Sequence, residues 1–342
     1  MSKKCVRTVL VGCGGICHAW LNAIRDERQV EIVGLVDLKP ANMKQVAEEF
    51  DLDVPQSTEL KGMLDEVQPD AVFDCTIPEA HCDVTLTALR HGCHVLGEKP
   101  LADSMANARR MVKAGQKAGK IYAVIQNRRY MATIRSLQRF LASGRIGRVT
   151  TANADFYIGA HFGGFRDRMK HVLLLDMAIH SFDQGRLITG ADPQAVYCHE
   201  WNPAGSWYDH DASAHCIFEM TDDVVFNYRG SWCAEGLNTS WHCDWRIIGE
   251  RGSVTWDGAD TFHAEYVRKT DGFMSSMRQV KVPIKCAQKK DGGHGGVIRE
   301  FLAAVRLGKT PETICTDNIK SLAMVFGAIK SAEQRRRVKI TV

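Results

Sequence analysis

The chain has 342 residues, of which 45% are apolar and 25% charged, with a formal net charge of +4. That composition disfavours a disordered or membrane-embedded protein, and so small a charge with no long Lys/Arg block leaves no footprint for nucleic acid. The length fits two domains of about 100 to 200 residues each, enough for a cofactor domain and a substrate domain.

Taken in order, short Val/Ile/Leu runs at 5–11 and 30–36 flank a helical pattern from Ile16 to Arg25. Further apolar runs at Ala71-Val72-Phe73, His94-Val95-Leu96 and Ile121 to Ile125 alternate with helical stretches near 41–50, 58–67, 80–91 and 104–118. Continuous apolar strands separated by helices predict a doubly wound parallel sheet over the first 125 or so residues. After Tyr130 the pattern changes. A helix is expected at 131–143, a strand at 148–157 and an amphipathic helix from Val172 to Ile188, then strands near 212–220, 224–232 and 241–248. The last three alternate partly with period two, which predicts an antiparallel sheet with one mixed face. Lys285 to Gly296, rich in Lys and Gly, reads as a mobile loop. Helical patterns around Val297 to Val305 and Ile319 to Ile329 close the chain, and Arg335-Arg336-Arg337 reads as a solvated helix end.

The twelve cysteines are scattered through apolar elements with no signal peptide ahead of them. Reduced thiols and a cytoplasmic location are expected, with no apolar run near the roughly 18 residues that span a membrane. Cys13, Cys17 and His18 imitate a metal cluster, but they fall in a crowded glycine turn, so no metal is expected.

That turn is Val11-Gly12-Cys13-Gly14-Gly15-Ile16. Gly12 permits the sharp bend and Gly14 lets backbone approach a pyrophosphate, while Cys17 stands where a third small residue would serve helix packing. The turn follows a predicted strand, opens a helix, and is answered by Asp37 at the end of the next strand. A carboxylate there accepts bonds from ribose hydroxyls and repels a 2′-phosphate, which favours NAD over NADP. Asp37 also reads as a helix cap before Pro40, and Lys39 softens the preference.

Glu98-Lys99-Pro100 follows a strand that ends at Gly97, placing a lysine where its ammonium can meet a developing negative oxygen. On the predicted helix Val172 to Ile188, Leu175, Ala178, Ile179 and Phe182 form an apolar stripe, and Asp176, His180 and Asp183 share the other face. The glycine turn, Glu98-Lys99-Pro100 and Asp176-x-x-x-His180-x-x-Asp183 occur in an order that resembles the Gfo/Idh/MocA oxidoreductase family. Supporting matches are Thr76-Ile77-Pro78-Glu79-Ala80-His81, Gly147 and the closing stretch from Phe301 to Val338.

The resemblance implies an α/β protein: a Rossmann domain over 1–126, then an α/β domain over 127–342 with a large, mostly antiparallel open sheet, the last helices packing back on the first domain. It implies NAD contacts from Gly12, Cys13, Gly14, Gly15, Ile16, Asp37, Thr76, Ile77, Pro78, His81, Glu98, Lys99 and Asn127. It implies Lys99, Asp176 and His180 as the catalytic group, with His180 as general base. A homodimer or homotetramer through the second domain's sheet is the expected assembly, with no nucleic acid or membrane partner.

One departure is local: many relatives carry a glycine-rich segment before the Asp/His helix, where this chain has His171-Val172-Leu173-Leu174. Arg129, Arg166 and Arg168 are candidates to bind substrate, although arginines facing water are the ordinary case and an anionic substrate is the lesser alternative. Among the aromatic residues between 201 and 245, Trp232, Trp241 and Trp245 read as sheet-face or interface residues. Trp207, Tyr208 and His210, in a polar loop, are the better substrate-specificity candidates. Three functions follow in order of expectation: an NAD-dependent dehydrogenase of a sugar, polyol or cyclic alcohol, a redox-assisted glycosidase, and a non-catalytic NAD-binding sensor.

Overall fold

A computed structural model describes residues 5–284 and 292–342. The chain divides into two units, Met1–Tyr130 with Lys290–Leu322, and Met131–Lys289 with Ala323–Val342. The expected division at 126/127 differs by the short turn Asn127–Tyr130, which packs with the first unit.

In the first unit, β1 (Val6–Val11), α1 (Gly15–Ile24), β2 (Val30–Val36), α2 (Pro40–Phe50), β3 (Gln56–Ser57), α3 (Leu60–Val67), β4 (Ala71–Asp74), α4 (Pro78–Arg90), β5 (His94–Gly97), α5 (Met105–Ala118) and β6 (Tyr122–Val124) alternate. All strand pairs are parallel, in the order β3-β2-β1-β4-β5-β6. The order reverses between β1 and β4, so the carboxyl ends of those two strands form the switch point where such sheets bind ligands. Local chemistry sets the helix ends. Pro78 opens α4, the Ser104 hydroxyl accepts from the Asn107 N–H at 3.2 Å to cap α5, and left-handed Gly119 ends it. Trp20, Phe73 and Phe301 are fully buried, with ring centroids 5.2 and 6.2 Å apart in sequence along that row. Phe301 comes from α8 (Gly293–Leu307), which returns to this unit.

The second unit holds α6 (Ala132–Ala142), β7 (Val149–Tyr157), α7 (Ile179–Thr189), β8 (Pro193–Trp201), β9 (Ser213–Met220), β10 (Val225–Ser231), β11 (Asp244–Gly249), β12 (Gly252–Trp256), β13 (Phe262–Lys269), β14 (Ser276–Val280) and β15 (Val338–Lys339). α9 (Cys315–Gln334) contributes its residues up to Leu322 to the first unit and those from Ala323 to the second. The sheet order is β14-β13-β12-β11-β7-β10-β9-β8-β15, antiparallel except for the β7–β10 pair. Register sorts the side chains. Val196, Phe218, Phe226, Ala152, Ile247, Val254 and Ala264 are successive partners across the sheet and all are buried. One residue further on, Tyr197, Ile217, Asn227, Asn153, Arg246 and Thr255 make the opposite, mixed face. α7 covers the apolar face closely: a methyl on Gly185 would lie 2.7 Å from the Phe226 ring, and Phe182 meets Phe218 at 4.8 Å.

Two expectations need correction. Of the stretch expected as a loop, residues 285–291 lie outside the described residues, and 293–296 form the first turn of α8, its Val297 and Ile298 buried. The site helix is also not one continuous α-helix. Leu173–Ala178 is a π-helical turn that leads into α7.

Candidate active site

In the first unit the glycine turn lies at the carboxyl end of β1. Gly12 has φ +89°, and a Cβ there would come within 2.7 Å of the Cys75 carbonyl and 2.8 Å of the Thr76 nitrogen, so only glycine fits. Gly14 and Gly15 are different: a Cβ on either would meet nothing within 4 Å. Open space thus lies over the amino end of α1, where free backbone N–H groups and the helix dipole favour an anion. Cys13 and Cys17 are buried, and burial pushes both thiols up to about 12, which leaves them as packing groups. Cys17 Sγ lies 3.6 Å from His18 Nδ1, and His18 Nε2 pairs with Glu49 at 3.1 Å.

Asp37 is held at the end of β2 by three donors. Its Oδ2 accepts from the Cys13 N–H at 2.7 Å, and its Oδ1 accepts from the Lys39 N–H at 2.8 Å and from the Asn42 amide at 3.2 Å. The carboxylate therefore braces the glycine turn and the turn before Pro40 at once. Around these strand ends Ile16, Leu38 and Ile77 are exposed, at 40%, 87% and 65%. Large apolar side chains in water beside an anion seat suit the flat bases of a dinucleotide. The seat, the fixed carboxylate and this apolar rim together fit NAD.

After β4, buried Asp74 accepts from the Thr76 N–H at 3.1 Å and from its hydroxyl. Burial pushes the Asp74 carboxyl up, against the pull of His81 and of those bonds. His81 was expected to touch cofactor, but it is buried, with Nδ1 3.0 Å from the Pro100 carbonyl and Nε2 3.1 Å from that of Thr76. It is a strut between the turn after β4 and the loop after β5. Glu98 is likewise internal: Oε1 accepts from the buried Trp20 indole at 2.7 Å and Oε2 from the Lys99 N–H at 3.1 Å. Lys99 itself is half-buried, and its bond to Pro100 is cis. Asn127 donates toward His294 Nδ1 at 3.3 Å, and Arg129, expected near substrate, is buried and bound to Asp317 at 3.2 Å.

In the second unit the π turn decides which residues face where. Its i→i+5 bonding puts more residues in a turn than the 3.6 of an α-helix, so the stripe expected for a continuous helix slips. Leu174 and Met177 join the buried face, and Leu175, expected there, is half out. Asp176 sits in this turn and His180 at the start of α7, both partly exposed, while Asp183 is buried. Arg166 grips Asp176 with Nε at 2.8 Å and a second guanidinium nitrogen at 3.4 Å. The guanidinium carbon also stands 4.9 and 4.8 Å over the Phe162 and Phe165 rings. Arg168 is exposed. Trp207 and Tyr208 both donate to the Ala160 carbonyl, at 3.1 and 2.8 Å. Tyr208 is buried by this arrangement, so of the pair only Trp207, stacked on His161 at 3.7 Å, keeps an accessible ring. Trp232 and Trp245 are core residues and Trp241 is 48% exposed.

A family model described as the oxidoreductase family with an NAD-binding Rossmann fold matches residues 6–126, and the GFO/IDH/MocA C-terminal domain matches residues 134–255. The chain belongs to the Gfo/Idh/MocA oxidoreductase family. Among similar proteins, D-apiose dehydrogenase of Paraburkholderia graminis is 26% identical over 98% of this chain and 90% of its own length. Inositol 2-dehydrogenase of Rhizobium meliloti is 23% identical over 98% of this chain and 99% of its own. The fold matches an Agrobacterium radiobacter oxidoreductase, solved with NAD+, L-tartaric acid and magnesium, with TM-score 0.85 at 19% identity over 98% of both chains.

Three groups of this Gfo/Idh/MocA oxidoreductase escape sequence reasoning. His294 falls in the stretch expected as a loop, yet it is half-buried in the first turn of α8. Burial lowers its pKa against the pull of Glu98. His171 and Glu200 form a close pair on the second unit, 2.6 Å apart. The only advance signal was the unusual His171-Val172-Leu173-Leu174 before the site helix.

Proposed function

We propose that this oxidoreductase is an NAD-dependent dehydrogenase that oxidises a hydroxyl of a neutral sugar, polyol or related cyclic alcohol. The observation that carries this is the Arg166–Asp176 ion pair. A helix whose carboxylate already holds the neighbouring guanidinium offers hydrogen-bonding groups rather than net positive charge, which suits hydroxyls better than an anion. The pairing of Arg129 with Asp317 points the same way. The sugar and inositol dehydrogenases among the relatives support the substrate class.

NAD, held by the open Gly14-Gly15 seat with Asp37 at the ribose, supplies the two-electron acceptor when bound. Asp37 keeps a fixed negative charge at the end of β2, which disfavours a 2′-phosphate. His180 takes the proton of the reacting hydroxyl as general base. Lys99 stabilises the developing alkoxide, its backbone fixed by Glu98. Asp176, oriented by Arg166, binds a neighbouring hydroxyl. The mixed face of the nine-stranded sheet, with Tyr197, Ile217 and Ile248 exposed beside Arg229 and Arg246, would seat a second copy of the chain in the cytoplasm.

The test is purified protein with NAD and a panel of free sugars, polyols, sugar acids and aryl glycosides, following NADH absorbance and product release, alongside Lys99→Met. NADH formed from a neutral sugar or polyol, lost in the variant while NAD binding persists, is the expected result. Glycoside cleavage without NADH accumulation would move the assignment to a redox-assisted glycosidase, and tight NAD binding with no turnover to a sensor.

A further inference from the structure

His171 adopts φ +54°, a left-handed conformation rare for any residue with a side chain. It stands where the site helix begins, its carbonyl accepting from the Leu175 N–H at 2.9 Å, immediately before the π turn that carries Asp176. Such a conformation persists only where the surroundings hold it. Here the holder is visible. Imidazole Nδ1 is 2.6 Å from Glu200 Oε2, and the Glu200 side chain, near the end of β8, is only 2% exposed. Two further carboxylates act on the ring: Glu333 of α9, 3.8 Å from Nε2 and itself exposed, and Asp211 in the loop before β9.

A carboxylate buried this deeply is costly unless a cation meets it with a short hydrogen bond. The imidazolium supplies that, and the Glu200 hydrogen bond, with the three carboxylate charges, raises the His171 pKa against its burial. Neither group belongs to the candidate catalytic set. Both belong to the frame from which the π turn starts.

We propose that His171 and Glu200 are a positioning pair: their buried bridge holds residue 171 left-handed and so fixes where the π turn presenting Asp176, and one turn later His180, begins. The role rests on the assignment of Asp176 and His180 to the reaction. Because the folded-state pKa of His171 is raised, the bridge is intact at lower pH and is lost as pH rises through that value. Turnover should therefore carry an alkaline limb set by His171, separate from any acid limb set by the general base.

The experiment compares His171→Leu, His171→Gly and Glu200→Gln with the wild-type enzyme. Leucine keeps bulk but lacks both charge and backbone freedom, and kcat should fall about tenfold to a hundredfold with NAD binding unchanged. Glycine takes φ > 0 without a partner, so His171→Gly should recover most of that loss and show no alkaline limb. In Glu200→Gln the limb, and the His171 Cε1–H titration followed by NMR, should move to lower pH. Wild-type kcat and pH profile in His171→Leu, a glycine variant as impaired as leucine, or an imidazole that titrates alike with and without Glu200 would each overturn the proposal. If the wild-type enzyme turns over no alcohol, the dehydrogenase assignment fails by itself. Amide exchange at Leu175 and Asp176, faster in His171→Leu but not in His171→Gly, then still decides whether the pair holds the turn.

Discussion

Two glycines of the same turn are predicted to fail in opposite ways. Alanine at Gly12 must adopt φ +89° and places a methyl 2.7 Å from the Cys75 carbonyl group. The left-handed backbone costs about 1–2 kcal/mol, and displacing the strand end it strikes costs about 1–3 kcal/mol more. A loss of roughly 2–5 kcal/mol should lower Tm by about 4–20 °C. Gly14 has φ −84° and ψ −170°, extended backbone that alanine adopts freely, and its methyl meets nothing. Gly14→Ala should therefore fold as well as wild type, or gain about 0.4–1 kcal/mol from a less flexible unfolded chain. Its methyl would nevertheless fill the anion seat, and the Kd for NAD should rise at least about tenfold, some 1.4 kcal/mol. Thermal denaturation and isothermal titration with NAD separate the two effects. A Gly14→Ala protein that binds NAD as wild type does, or a Gly12→Ala protein of unchanged Tm, would refute the assignment of one glycine to the fold and the other to the cofactor.

Replacing Asp37 by Ser removes the fixed charge at the ribose end, so the ratio of NADP to NAD affinity should rise at least about tenfold; an unchanged ratio in competition binding would show that selectivity lies elsewhere. Burial, reinforced by Lys120, lowers His94 to about 4, and its Nδ1 accepts from the Ile121 N–H at 3.0 Å. Its folded pKa is below the ordinary value near 6.5, so this stability is present above about pH 6.5 and lost as pH falls toward 4. The ceiling is roughly 3 kcal/mol, and about 1–2 kcal/mol after allowing for a ring only half buried. Urea denaturation at both ends of that window should show a slope that His94→Asn flattens. Ile217→Lys puts a charge in the middle of the mixed sheet face and should convert an oligomer to monomers in sedimentation; a wild-type chain already monomeric would remove the proposed interface.

The parallel sheet can be read from the chain because its strands are buried on both faces, so Ala71 to Phe73 or Val9 to Val11 appear as unbroken apolar runs. The second sheet is harder. β8, β12, β13 and β14 each bury few residues, and β14 is almost wholly exposed, so period-two patterning is too weak to announce them. The two-residue strands β3 and β15 exist only through pairing with Leu35 and Val36, or with Ala195 and Val196, which no local pattern encodes. The placement of the glycine turn, Asp37 and Lys99 at strand ends is legible because their neighbours mark those ends. Their supports are not. His81 and Glu98 read in sequence as cofactor contacts and are internal because of partners 19 and 78 residues away.

The same distinction explains the arginines. A guanidinium beside a candidate site in sequence suggests an anionic substrate only while its own partner is unknown. Arg166 lies ten residues before Asp176, a separation with no meaning for a continuous helix, and the two meet because the segment from Arg166 folds back along the π turn. Arg129 reaches Asp317 across 188 residues. In both cases a carboxylate of the chain occupies the geometry that a substrate carboxylate would need. Charge alone therefore overstates affinity for acids, whereas paired charge, held by Phe162 and Phe165 in the case of Arg166, favours a substrate that offers hydroxyls and no net charge.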